Sequence, residues 1–181
     1  MPQAILIGGN AARFMDVVRD LRSYLVKEVG IGPKRIREFP TAYASEDMLE
    51  CRIGLAASER TKVPLFILYA GHGGETGWAC DDSRTLTYRQ LAEAIRPGKR
   101  PIVIVNDCCN AMAIVPALEE AGVDKDRVSV IAASENGETT YSGLLIGIML
   151  NGWRQRRPVR FGPELRWGAQ LDHHFFPKPA Q

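Results

Sequence analysis

Residues 63–74 read Val-Pro-Leu-Phe-Ile-Leu-Tyr-Ala-Gly-His-Gly-Gly, and residues 101–110 read Pro-Ile-Val-Ile-Val-Asn-Asp-Cys-Cys-Asn. Each is a short apolar run without a charge inside it, too short for a buried helix and ended by turn-forming residues. That is the pattern of strands covered on both faces. Such strands belong to a parallel sheet with helices above and below it.

The flanking sequence alternates in the same sense. Residues 4–7 are a further apolar run, closed by Gly8-Gly9-Asn10. Phe14, Val17, Val18, Leu21, Leu25 and Val29 have helical spacing, which predicts a helix over 11–28, stopped by Gly30 and Gly32-Pro33. Residues 35–39 alternate charged and apolar, as an edge strand does. Ser45 with Glu46 and Asp47 opens a helix to about residue 58, and Thr87 caps another through residue 95. Residues 78–85 read as a loop or small hairpin. A helix is expected over 109–121, closed by Gly122, then a strand over 128–133 and a helix over 141–150, closed by Gly152. Strand alternating with helix implies right-handed crossovers and a mostly parallel sheet in a three-layer α/β/α sandwich. Residues 1–152 are expected to form this domain. Residues 153–181, rich in Arg, Pro and aromatics, are expected to pack on it or trail from it, an antiparallel edge strand being one form.

The chain has 181 residues, enough for one well-filled domain. It is 45% hydrophobic and 24% charged with a net charge of +2, which excludes a disordered chain and gives no argument for nucleic acid. No apolar run nears the roughly 20 residues of a membrane span. Residues 1–7 lack the basic segment and cleavage site of a secretion signal. Cys51, Cys80, Cys108 and Cys109 are too few for a secreted disulfide framework at this length, and adjacent Cys108 and Cys109 do not easily bridge. A reducing, cytoplasmic compartment is therefore expected.

In an open parallel sheet, sites form beyond the C-terminal ends of the strands. Residues 8–16, 71–74, 107–110 and 134–141 reach that edge. The two most apolar strands end in His72 and in Cys108-Cys109. Neighbouring strands lie about 4.8 Å apart, so pairing of the two brings an imidazole and a thiol together. A cysteine at a helix N-terminus has its thiolate favoured by the helix dipole, and a nearby histidine shares its proton. Gly73 leaves its N–H open to a substrate carbonyl, so that with the cysteine N–H it forms a candidate oxyanion hole. His173 and His174 carry no assigned role. Glu75, Asp81 and Asp82 read as a solvated acidic loop in preference to a calcium site, since calcium takes six or more oxygens. The chemistry needs no metal or other cofactor.

Residues 65–74, LFILYAGHGG, resemble the Tyr-Ser-Gly-His-Gly segment of metacaspases, and residues 102–110, IVIVNDCCN, resemble their Asp-Cys-Cys or Asp-Ser-Cys segment. Caspases and legumains share the plan of a His-Gly after one strand and a Cys after the next. Residues 131–141, IAASENGETTY, resemble the Ala-Ser stretch that follows the next strand in caspases, and residues 6–21 resemble the metacaspase opening. The likeness spans residues 3–151. It implies a caspase-like sheet of strand order 2-1-3-4-5-6 and a cysteine endopeptidase acting on protein or peptide substrates; charge and hydropathy give no reason to expect a nucleic acid or membrane partner. It implies Cys109 as the nucleophile, because Asp107 stands two residues before it, with His72 as its partner and Gly73 and Cys109 as oxyanion donors. Asp107 and Asp16 match the carboxylates of a pocket for a basic P1 residue. Arg13 lies in the same loop, where caspases use an arginine to bind Asp, and Ser134 is counted with the substrate-binding positions. Calcium activation of the metacaspase kind would draw on Glu75, Asp81 and Asp82.

The sequence departs from the family where Asn110-Ala111-Met112 replaces the usual His-Ser-Gly, and where His72 and Cys109 stand closer than the roughly 50 residues of caspases. Two other functions fit parts of the pattern. One is a non-catalytic caspase-like interaction domain, favoured by the altered residues after the cysteine. The other is a flavodoxin-like nucleotide binder using Gly8-Gly9-Asn10, which lacks the full glycine and lysine motifs. An acidic or small apolar P1 is the alternative specificity.

Overall fold

The sheet forms because five short apolar segments are separated by crossover helices, each long enough to return the chain to the same edge. A computed structural model describes residues 3–81, 83–141, 143–155, 157, 162–169 and 171. The elements in order are β1 (Ala4–Gly8), α1 (Ala12–Lys27), β2 (Ile36–Pro40), α2 (Glu46–Ala57), β3 (Leu65–Ala70), β4 (Gly77–Ala79), β5 (Thr85–Thr87), α3 (Tyr88–Ile95), β6 (Ile102–Asp107), α4 (Ile114–Glu120), β7 (Val128–Ala132), α5 (Leu144–Arg154) and β8 (Arg166–Gly168). Six strands form one sheet in the order β2-β1-β3-β6-β7-β8, and β4 and β5 form a separate hairpin. Numbered without the hairpin, the order is the expected 2-1-3-4-5-6. Within the six-stranded sheet all pairs are parallel except β7 with β8. The last strand comes from residues 153–181, so that segment contributes an edge to the sheet of residues 1–152.

Helices cover both faces. Val18, Leu21 and Leu25 of α1 pack with Ile146, Met149 and Trp153 of α5 against Leu6, Phe66, Leu68, Val103 and Val105. Leu49 and Ile53 of α2, Leu91 and Ile95 of α3, and Ile114 and Leu118 of α4 pack against Ile5, Ile67, Ile104 and Val130. Alternate residues of one strand thus serve opposite layers, and each buried Leu or Ile contributes about 1.5–3 kcal/mol. Ser45 Oγ accepts the Met48 N–H at 3.2 Å and Thr87 caps α3, as expected, the latter completing a capping box with Gln90. Among the described residues no helix is long and apolar enough to cross a membrane.

Two boundaries differ from expectation. The helix after the cysteine pair does not begin at Cys109. Asn110 adopts a left-handed conformation with φ 52°, residues 111–113 make one tight 3-10 turn, and α4 starts at Ile114. Pro116 is the reason: it lacks an N–H and its ring crowds the carbonyl four residues back, so it is tolerated only in a first turn. Likewise α5 starts at Leu144, after Gly143 at φ 75°, and runs past Gly152 because Trp153 is buried in the core.

Candidate active site

The register of β3 on β6 pairs Leu65 with Ile102 and ends by pairing Ala70 with Asp107. His72 and Cys109 each stand two residues beyond that last pair, so the two loops leave the sheet side by side. Gly71 N–H donates to Asp107 O at 3.3 Å, extending the ladder one step. Gly73 packs directly on the cysteine loop: a Cβ there would overlap Cys108 Sγ and lie 2.6 Å from Cys109 O. Only glycine permits this approach. Arg13, Gly71, His72, Cys108, Cys109, Thr140 and Tyr141 line one cleft of about 120 Å³.

Alternation at the end of β6 separates the two thiols. Cys108 points into the core, where its Sγ lies 3.1 Å from Asn106 Oδ1 and 3.7 Å from Tyr88 OH. Burial pushes its pKa up to about 12, so it is a thiol at any physiological pH. Cys109 is half-buried on the cleft side. Its Sγ accepts the Thr140 N–H at 3.4 Å, and Thr140 O lies 3.7 Å away. With α4 starting at Ile114, Cys109 does not stand at the helix N-terminus expected for it. Among the described residues neither Gly73 N–H nor Cys109 N–H has an acceptor. Cys109 lines the cleft, whereas Gly73 is absent from its lining.

His72 is exposed, and the Phe14 ring meets its imidazole edge-on at 5.1 Å. The Arg13 guanidinium lies 5.0 Å from the Phe14 centroid. Tyr69 holds the backbone of the histidine loop, its hydroxyl donating to His72 O at 2.6 Å, with Ala79 O at 2.9 Å. Tyr69 stacks on Trp78 at 4.7 Å, and Trp78 Nε1 donates to Asn106 Oδ1 at 2.7 Å. Asn106 Nδ2 in turn donates to Ala111 O at 2.7 Å. This buried network runs from the histidine loop to the cysteine loop. Burial pushes the hydroxyl pKa values of Tyr69 and Tyr88 up, so both stay neutral donors. Tyr69, Asn106 and Thr140 were not among the expected site residues. A Tyr in β3 and an Asn in β6, each inside an otherwise apolar strand, are the signal, because a buried polar atom requires a partner.

The expected substrate pocket is assembled differently. Asp107 is fully buried, and its Oδ2 accepts the Ile146 N–H at 3.1 Å in the first turn of α5. Burial pushes its pKa up to about 6, against the pull of the Ile146 and Leu145 amides. It ties α5, and the Thr140–Tyr141 wall before it, to the strand that carries the cysteines. Asp16 is 69% exposed, pairs with Arg19 at 2.9 Å, and is absent from the cleft lining. Ser134 is buried, donating to Cys108 O at 3.0 Å and accepting the Ala111 N–H at 3.1 Å, so it shapes the cysteine loop from below. Asn110, at the departure from the family pattern, accepts the Gly137 N–H on Oδ1 at 2.8 Å and donates its own N–H to Glu138 O at 2.9 Å. Asn tolerates the left-handed conformation this needs. Of the three expected pocket side chains with charge, Arg13 alone lines the cleft.

In the acidic loop, the Arg84 guanidinium bonded to Asp81, together with the Ser83 and Arg84 amides, holds the Asp81 carboxyl well below the usual range. Asp82, His173 and His174 lie outside the described residues. Among the described residues no group of three or more metal-ligating side chains converges.

No family model matches the chain, and no curated protein matches it. Among solved structures it is similar to Raptor of Chaetomium thermophilum, with a TM-score of 0.55 at 11% identity. The match covers 91% of this chain and 19% of that one, so this chain spans a small part of the other's length. At that identity the likeness is one of fold.

Proposed function

We propose that the chain is a cysteine endopeptidase of caspase-like type, with Cys109 as nucleophile and His72 as its acid–base partner. The carrying observation is that the β3–β6 register delivers both residues, two positions past one strand pair, into a single cleft. In the reaction His72 takes the Cys109 thiol proton while Sγ attacks the scissile carbonyl. The oxyanion is held by the Gly73 and Cys109 N–H groups. His72 then gives its proton to the leaving amine, and water, deprotonated by His72, releases the acyl group from sulfur. No cofactor takes part in these steps. A reducing, cytoplasmic setting agrees with four cysteines that are all free.

The lining of the cleft favours the acidic alternative over the basic P1 expected from the sequence. Asp107 is committed to α5 and Asp16 to Arg19, whereas Arg13 lines the cleft beside His72. A guanidinium there attracts a carboxylate and disfavours a cation. The test is a fluorogenic peptide series identical except for Asp, Leu or Arg at P1, run with wild type and with Cys109→Ala and Cys108→Ala. The reading expects turnover that Cys109→Ala abolishes and Cys108→Ala retains, with Asp preferred. Turnover that survives Cys109→Ala removes the peptidase reading. Preference for Arg returns the specificity to a carboxylate pocket. Absence of turnover together with an unreactive Cys109 favours the interaction-domain reading.

A further inference from the structure

A second cavity shares no residue with the cleft. It is a groove of about 400 Å³ between β2 and α2, lined by Ile5, Arg37, Phe39, Arg52, Leu55, Ala56 and Glu59. The sequence pattern builds it. Arg37 and Phe39 are alternate residues of the edge strand β2 and so share a face, and Ile5 pairs with Arg37 in register. Arg52, Leu55 and Ala56 stand at i, i+3 and i+4 and form one stripe of α2, with Glu59 just past its end. The volume lies in the range of small-molecule sites, roughly 300–1,000 Å³.

Its chemistry is two-sided. The floor is apolar: Ile5 and Ala56 are buried, Phe39 is half-buried, and Leu55 is 58% exposed to the groove and solvent. The rim is cationic. Among the described residues neither the Arg37 nor the Arg52 guanidinium has a hydrogen bond or ion pair. Glu59 does not offset them, because its carboxylate is bound at 2.7 Å to Arg100, a guanidinium only 2% exposed. Two like charges at one mouth repel each other, and the apolar floor is held against water. A molecule with an apolar body and a single carboxylate relieves both, and the guanidinium fork matches a carboxylate in two parallel hydrogen bonds. An added peptide strand fits less well. The groove opens on the face between β2 and α2, and the five-residue β2 ends in Pro40, which has no N–H to pair.

We propose that the groove between β2 and α2 binds a small amphipathic carboxylate, an acyl or arylalkyl chain ending in one carboxylate held by Arg37 and Arg52. The inference is independent of the peptidase reading. It is tested by titrating the ¹⁵N-labelled chain with 4-phenylbutyrate, its neutral amide and the corresponding amine, and following backbone amide shifts. A second arm uses Arg37→Gln/Arg52→Gln, whose side chains are exposed, with a melting curve to show that it folds. The expected result is saturable shifts at residues 37–39 and 52–59 for the carboxylate. Affinity falls at least about tenfold for the amide and for the double variant, the ratio for one lost charge-assisted contact. Equal binding of the amide or amine overturns the proposal. So do unchanged affinity in the folded double variant, shifts confined to the His72–Cys109 cleft, and no saturable shift up to roughly 10 mM ligand. An acidic peptide that shifts β2 where phenylbutyrate does not also overturns it, in favour of strand addition.

Discussion

Replacing Asp107 by asparagine isolates the cost of a buried charge. The folded chain holds the Asp107 proton up to about pH 6, against an ordinary value of 3.8. Two pKa units at 1.36 kcal/mol each amount to about 3 kcal/mol. The folded state binds this proton more tightly than the unfolded state does. Asp107 therefore favours folding most below about pH 4, and its contribution declines as pH rises through about 6. Above that the ionised carboxylate is retained at a cost of about 3 kcal/mol, partly offset already by the Ile146 and Leu145 amides. In Asp107→Asn the side-chain carbonyl would accept the same amide without titrating. The extra N–H₂ of that variant adds a penalty of about 1–3 kcal/mol that is constant with pH. Urea unfolding followed by tryptophan fluorescence, at steps from about pH 4 to 8, gives the difference in stability between wild type and Asp107→Asn. That difference should move toward the variant by about 2.5 kcal/mol across the range, the first part of the roughly 3 kcal/mol being already lost at pH 4, and the other titrating groups being common to both. Parallel pH curves would refute the reasoning and place the carboxylate in contact with water.

Gly73→Ala forces a methyl onto Cys108 Sγ and the Cys109 carbonyl; a destabilisation of about 1–3 kcal/mol and a larger proportional loss in kcat/KM are expected, and an unchanged melting temperature with full activity would contradict the packing. Tyr69→Phe removes the hydroxyl on His72 O, which should lower stability by about 1 kcal/mol and reduce kcat more than it raises KM; a pure KM effect argues against a role in holding the histidine. Brief iodoacetamide treatment with peptide mass mapping should label Cys109 ahead of exposed Cys51 and leave buried Cys108 and Cys80 unlabelled, and labelling of Cys108 first would reverse the assignment. Arg13→Ala should weaken turnover of the Asp-P1 peptide by about tenfold or more with little change for Leu at P1, and an equal loss for both would show that Arg13 does not read the P1 side chain.

The architecture and the convergence of His72 and Cys109 at one sheet edge are legible in the chain because both depend on local pattern. The apolar runs 63–70 and 101–105 declare strands covered on both faces, the intervening helical spacing forces parallel crossovers, and whatever follows those strands must emerge at one edge. His72, Gly73 and the cysteine pair follow from that alone. The choice of Cys109 over Cys108 is half local: faces alternate, but only the packing of Tyr88 and Asn106 on one side and Thr140 on the other says which face is the cleft. The pocket is decided by tertiary structure. Asp107, Asp16 and Arg13 are all charged residues near the same edge, and no periodicity distinguishes them. Asp107 turns inward because α5 presents its first-turn amides there, and Asp16 turns out to Arg19 one helical turn on. The start of α4 is readable from Pro116, although the apolar spacing before it points to an earlier start. The Tyr69–Trp78–Asn106 network joins residues up to 37 apart in sequence. Such hydrogen bonds depend on register and side-chain direction, which one-dimensional pattern does not encode.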